Sequence, residues 1–127
     1  MDKLLQQLKN KLTHKHTELE KERLDVFQFP IFQTGEQIDF ALLEAGTNHP
    51  PHVHEEGSAR LYIICGKGKI ILENKTTSYE EGQVYSVPKG TTHGFEVEES
   101  TVLLSVQDKP ILHDGKLDFR YDERSGI

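Results

Sequence analysis

Histidine is the residue type with most to offer chemistry in this chain: seven occur in 127 residues, and imidazole both ligates transition metals and carries protons near neutral pH. What matters is which rings the backbone can aim at one point. His52 and His54 lie two apart in a run that reads as a strand, where alternate residues share a face, so the two rings project together and can chelate. His14 and His16 have the same spacing, but their segment has helical patterning, and a helix brings together residues three or four apart. They are therefore expected as solvated surface residues. His49, just before Pro50-Pro51, is expected on an exposed loop, with a place at the mouth of a cavity as the alternative.

The elements that must position these residues come in two textures. Leu4, Leu5, Leu8, Leu12 and Leu19 stand among Lys, Gln and Glu at close to helical spacing, which predicts one amphipathic helix over residues 1–24. From residue 25 to 127 the chain reads as one β-barrel domain, with short apolar runs punctuated by Gly, Pro and Asn. The expected strands are 26–33, 37–44, 52–55, 60–65, 69–73, 76–79, 83–87, 94–98 and 101–106. Leu117, Phe119 and Tyr121 alternate after a His113-Asp114-Gly115 turn and suggest one more strand, with pairing across a dimer as one use for it. Regular short strands of this kind predict an all-β sandwich or barrel.

Glycines and a proline frame the histidines at fixed offsets. Gly46, His52, His54 and Gly66 fit G-x5-H-x-H-x4-E-x6-G, and Gly82, Pro88, Gly90 and His93 fit G-x5-P-x-G-x2-H-x3-N. In both frames the chain resembles the cupin family. The resemblance implies a double-stranded β-helix, or jelly-roll, barrel in which His52, His54 and His93 coordinate one divalent transition metal ion. It also implies a small-molecule substrate or ligand, and a homodimer.

Two positions depart from the pattern. Ala59 stands where the family's carboxylate ligand would be, and Val97 replaces the closing asparagine. Three neutral imidazoles leave the ion's double charge uncompensated, which favours an anionic ligand on the open side. Glu56 continues the alternation of His52 and His54 and is the available substitute, although a turn at Gly57 is expected to break the pattern. Three-histidine sites in the family include iron dioxygenases, so iron is the metal expected for an oxygenase. Zinc, nickel or manganese would suit an isomerase or lyase. A non-catalytic binding module is the alternative function, because no residue announces itself as general base beyond Glu56, His49 or a buried tyrosine.

Composition narrows the partners. Acidic residues outnumber basic ones, 21 to 15, and no Lys/Arg run is dense enough to neutralise a row of phosphates, which argues against nucleic acid. Neither an export signal nor an apolar membrane span is legible, and the lone Cys65 suits a reducing compartment, so a cytoplasmic protein is expected. Cys65 itself, inside an apolar run, is expected to pack in the core.

Overall fold

The computed structural model describes residues 1–122, and positions 123–127 of the expected barrel segment lie outside the described residues. The helix α1 spans Asp2–Lys11. The strands are β1 (Thr13–Glu18), β2 (Arg23–Gln28), β3 (Gln37–Leu43), β4 (Asn48–Val53), β5 (Ala59–Leu72), β6 (Lys75–Tyr79), β7 (Val84–Val87), β8 (His93–Gln107), β9 (Leu112–His113), β10 (Lys116–Leu117) and β11 (Arg120–Tyr121). The expected all-β class with an N-terminal helix is met.

The helix is shorter than its leucine spacing suggested, and its early end is a correction to the expected span of 1–24. Asp2 in the first turn and Lys9 and Lys11 in the last suit the helix dipole. After Leu12 turns extended, residues 13–18 bring β-branched Thr13 and Thr17, and the segment pairs with β2 from Thr13↔Gln28 to Glu18↔Arg23. A ladder with a neighbouring strand satisfies more backbone groups than a frayed helix end. His14 and His16 thus share one strand face, and each hydrogen-bonds Asp25 Oδ1, at 3.0 and 2.9 Å. The surface placement expected for them holds, but the helical geometry does not.

α1 covers the outer face of the sheet. Leu8 is buried against Phe27 and Val102, with Leu4, Leu5, Leu12, Phe40 and Cys65 packed around them. This cluster also gives Cys65 its packing role. The inner face holds a separate core in which Leu61, Ile63, Ile70, Phe95 and Leu103 meet.

Two long antiparallel strands organise the barrel. β5 and β8 pair from Ala59↔Gln107 to Leu72↔His93. Along its other edge β8 pairs first with β4 and then, over Thr101–Gln107, with β3. β7 and β6 extend the sheet from the two halves of β5. The sequence suggested four strands where these two run, because Gly66-Lys67-Gly68 looks like a turn. Both glycines serve instead as points of close strand approach. A side chain at Gly66 would strike Thr101 and the Ser100 carbonyl, and one at Gly68 would strike the Glu96 carbonyl. The ladder shifts register here, so the strands bend without ending.

Removing the helix anchor tests this packing. Leu8→Ala is expected to destabilise the protein by about 2–3 kcal/mol, read by urea unfolding.

Candidate metal centre

Consecutive prolines cannot sit in a regular central strand, because neither donates to the ladder. Pro50 and Pro51 lie in β4, and there the pairing with β8 slips: His49 opposes Phe95, but the next pair is His52 with His93. Three positions on β4 thus answer two on β8, a bulge that reverses the alternation of faces. His49 and His52 consequently both turn inward although they stand three positions apart, and both are buried. Gly94 lets the bulge fit. A Cβ there would lie 2.6 Å from the His49 carbonyl oxygen and 2.9 Å from the Pro51 nitrogen.

His52, His54 and His93 meet inside the barrel, with one ring nitrogen from each lying within 4.8 Å of the other two. Each ring is held from behind. His52 Nδ1 bonds the Pro50 carbonyl at 3.0 Å, His93 Nδ1 the Thr91 carbonyl at 3.0 Å, and His54 Nδ1 the Asp118 carbonyl at 2.5 Å. A carbonyl oxygen only accepts, so each Nδ1 carries the hydrogen, and each neutral ring keeps its lone pair on Nε2. Imidazoles fixed in this way are the usual ligands of a catalytic metal. Burial, and then the neighbouring histidines, push His52 far below the ordinary imidazole range, and the same causes bring His93 to about 3. His54 is lowered by burial, opposed by its bond to the Asp118 carbonyl. Near neutral pH all three are therefore unprotonated.

The C-terminal segment closes one side of the cluster. β11 pairs with β4 through Tyr121↔His52, so the predicted tail strand lies, in part, within the same chain. Phe119 stacks on His52, ring centroids 4.3 Å apart. The Asp118 carboxylate accepts the backbone N–H groups of Glu55, Glu56 and Gly57 at 2.7, 3.0 and 3.0 Å. Those bonds hold its carboxyl below the usual range although burial acts the other way. They also fix the loop after His54 and send the Glu55 and Glu56 side chains to the surface. Glu56 is not part of the cluster, which removes the substitute that alternation offered; the bend at Gly57 arrives too early.

Glu22 is the carboxylate that sequence reasoning missed. It lies between β1 and β2 in a Glu/Lys-rich stretch that reads as an exposed helix face, yet its side chain is only 4% exposed. It lines the cavity beside the three histidines, and its charge is felt at His54. Glu22 Oε1 is 2.8 Å from His49 Nδ1, and His49 Nε2 is 3.1 Å from Thr47 Oγ1. Thr47 gives its one hydroxyl hydrogen to the Glu44 carbonyl at 2.6 Å, so it must accept from His49 Nε2. With a proton on Nε2, the contact between Nδ1 and Oε1 requires another. Glu22 and His49 together hold that proton and are neutral as a pair, whether as imidazolium with carboxylate or as imidazole with carboxylic acid. His49 is thus neither an exposed loop residue nor a member of the cluster, and the proline bulge is what turned it inward.

The cavity bounded by these groups measures about 100 Å³ and is mostly apolar, with Ala59, Leu61, Leu103 and Phe119 in its wall. Ala59 occupies the position where a carboxylate was missing and leaves that side open. A second buried carboxylate, Asp39, also lines the cavity, but its oxygens are answered by the side-chain amides of Gln37, Gln107 and Gln28 at 3.0, 3.0 and 3.4 Å. Burial raises its pKa even so.

The cupin domain family matches residues 40–107, more than half of the chain. This chain belongs to the cupin family. No curated protein matches it. Among solved structures, a predicted oxalate decarboxylase from Thermotoga maritima superposes with a TM-score of 0.66 at 17% identity, over 77% of this chain and 93% of that one. An uncharacterised double-stranded β-helix protein from Klebsiella pneumoniae gives 0.65 at 17% identity, over 91% and 94%. A salicylate 1,2-dioxygenase from Pseudaminobacter salicylatoxidans gives 0.64 at 18%, over 84% of this chain but 31% of the larger enzyme. At such identities these likenesses establish the jelly-roll barrel and nothing finer.

Gly94→Ala is expected to drive a methyl into the β4 bulge and cost about 1–3 kcal/mol, read by thermal unfolding. A pH dependence follows from the buried imidazoles. Their pKa values are depressed in the folded state, so below the ordinary value of 6.5 the unfolded chain binds more protons than the folded one. With chelator present, stability is expected to be full above pH 6.5 and to fall steadily towards pH 3. A variant with His52 and His93 both replaced by Gln should flatten that slope.

Proposed function

We propose that this cupin holds one divalent transition metal ion through Nε2 of His52, His54 and His93 and binds a small oxygen-bearing anion on the open side. The observation that carries the reading is the anchoring of all three Nδ1 atoms to backbone carbonyls, which leaves three lone pairs converging in a buried pocket. With Nδ1 occupied, each ring turns its free Nε2 lone pair to the cavity, and a shared cation answers all three at once. Bound there, the ion would supply Lewis-acid or redox chemistry.

This chain's own residues define the rest. Phe119 and the apolar wall keep water from the histidines, and Ala59 leaves room for a ligand where a carboxylate side chain would otherwise stand. The neutral Glu22–His49 pair does not offset the ion's charge, which is why an anionic group is favoured opposite the histidines. The proton held by that pair provides the acid–base group that the sequence left unassigned. The names of two structural neighbours mention small acids, oxalate and salicylate, which agrees with this class of ligand. Iron would suit an oxygenase, and zinc, nickel or manganese a non-redox reaction.

Elemental analysis of protein purified without chelator is expected to find one transition metal ion per chain, and His93→Ala to lose it. Resupplied metal at about a hundred times its Kd should stabilise the wild type by roughly 2.7 kcal/mol and leave His93→Ala unmoved. A wild-type protein that binds no transition metal would sink the proposal. Oxygen uptake across diols, thiols and keto acids then separates an oxygenase from a protein that binds without turnover.

A further inference from the structure

The two buried carboxylates of the cavity wall differ in one respect. Asp39 has amide donors on both oxygens, as expected of a carboxylate kept for structure. Glu22 has His49 on Oε1, but its Oε2 is shielded from solvent and, among the described residues, has no hydrogen-bond partner of normal geometry. Leaving such an acceptor unanswered is costly, and more so if it is charged. The phenol of Tyr121 lies close enough for the carboxylate to act on it: burial first, and then the charge of Glu22 and a loose hydrogen bond to its carboxylate, push its pKa up to about 12. The Tyr121 oxygen accepts the Lys21 N–H at 3.1 Å and keeps its own hydrogen, but among the described residues no hydrogen bond of normal geometry reaches Oε2.

The proton count around His49 fixes what Oε2 can do. The shared proton lies on the Oε1 side, so Oε2 is an acceptor in either form of the pair. A molecule in the cavity can therefore satisfy it only by donating. At the other end of the same space, the three histidines call for a metal-bound oxygen, and the wall between is apolar.

Building on the metal-site reading above, we propose that Glu22 Oε2 receives a hydroxyl or N–H group of the ligand. The ligand is then a small molecule with an anionic oxygen at one end and a hydrogen-bond donor at the other. A short hydroxy acid has this form. A dicarboxylate does not, because its second carboxylate would meet Glu22 with no proton to share. Glu22 selects the ligand, and His49, fixed through Thr47 to the Glu44 carbonyl, is the residue that positions it.

The test uses the zinc-loaded full chain and calorimetric titration with matched probes: acetate and glycolate, propionate and 3-hydroxypropionate, butyrate and 4-hydroxybutyrate. At least one hydroxylated acid should bind about tenfold tighter than its parent, the gain of one hydrogen bond to a carboxylate. Glu22→Met keeps the bulk without the acceptors and should abolish that difference. Glu22→Gln can give an amide N–H to His49 Nδ1 and keep a carbonyl oxygen towards the ligand, so it should retain part of the preference. Tyr121→Phe should leave it unchanged.

Zinc content is measured on every sample, which separates failure of this proposal from failure of the metal site. No zinc in the wild type overturns the metal reading and this proposal with it. Zinc present with no preference for any hydroxylated acid overturns this proposal alone, and that wild-type result stands even where Glu22→Met fails to fold. A preference that survives Glu22→Met, or one lost equally in Tyr121→Phe, overturns it as well. Loss of zinc in Glu22→Gln would make Glu22 a metal ligand and overturn it too.

Discussion

Three backbone carbonyls hold the site in place. Each accepts an Nδ1–H bond from one histidine, and together they determine where three Nε2 lone pairs point. Two of the carbonyls, at Pro50 and Thr91, lie two residues before the histidine they anchor, so local backbone sets those rings. The third belongs to Asp118, sixty-four positions away from His54. The cluster therefore depends on the C-terminal segment folding back over the barrel, and the Asp118 carboxylate secures that return by capping three N–H groups of the loop after His54. An isolated barrel hairpin would leave His54 free to turn.

The β4 bulge is the second constraint, and it works through proline chemistry. Pro50 and Pro51 cannot donate to β8, so the ladder is interrupted where they stand, and the extra residue rotates His49 into the interior. Gly94 makes the matching concession on the facing strand. One irregularity thus brings a fourth histidine to the cavity wall, and with it a hydrogen-bond partner for Glu22. In a strictly alternating strand His49 would face away from His52, and a buried Glu22 would have no counter-proton. The contact between His49 and Glu22 is a product of that distortion.

Electrostatics divides the cavity. Its histidine end is held neutral by burial and by mutual repulsion, which readies the rings for a cation. The Glu22–His49 pair is neutral by sharing a proton. Asp39, its pKa raised by burial, rests among three amides. None of these groups is an isolated buried charge, yet one oxygen, Oε2 of Glu22, has no partner of normal geometry among the described residues.

Much of the barrel was legible in the sequence, because strand alternation and turn residues are local signals. His52 and His54 share a face on any strand, and the spacing around Gly46, Gly66, Gly82 and Pro88 was enough to suggest the family that the comparison then established. The helix was overextended past Leu12, since leucine spacing says nothing about the pairing that draws residues 13–18 into the sheet. Glu56 was a reasonable substitute on alternation alone and failed because a carboxylate sixty-two positions away bends the loop. Glu22 had no legible signal: a Glu among Glu and Lys is an exposed residue until a distant histidine turns inward to meet it. The sequence by itself determined which histidines could converge and the strands that bear them, because those follow from residue type and short-range geometry. Only the tertiary structure decided which carboxylate reaches the cavity and which carbonyls orient the rings, because such contacts join positions whose separation along the chain carries no periodic trace.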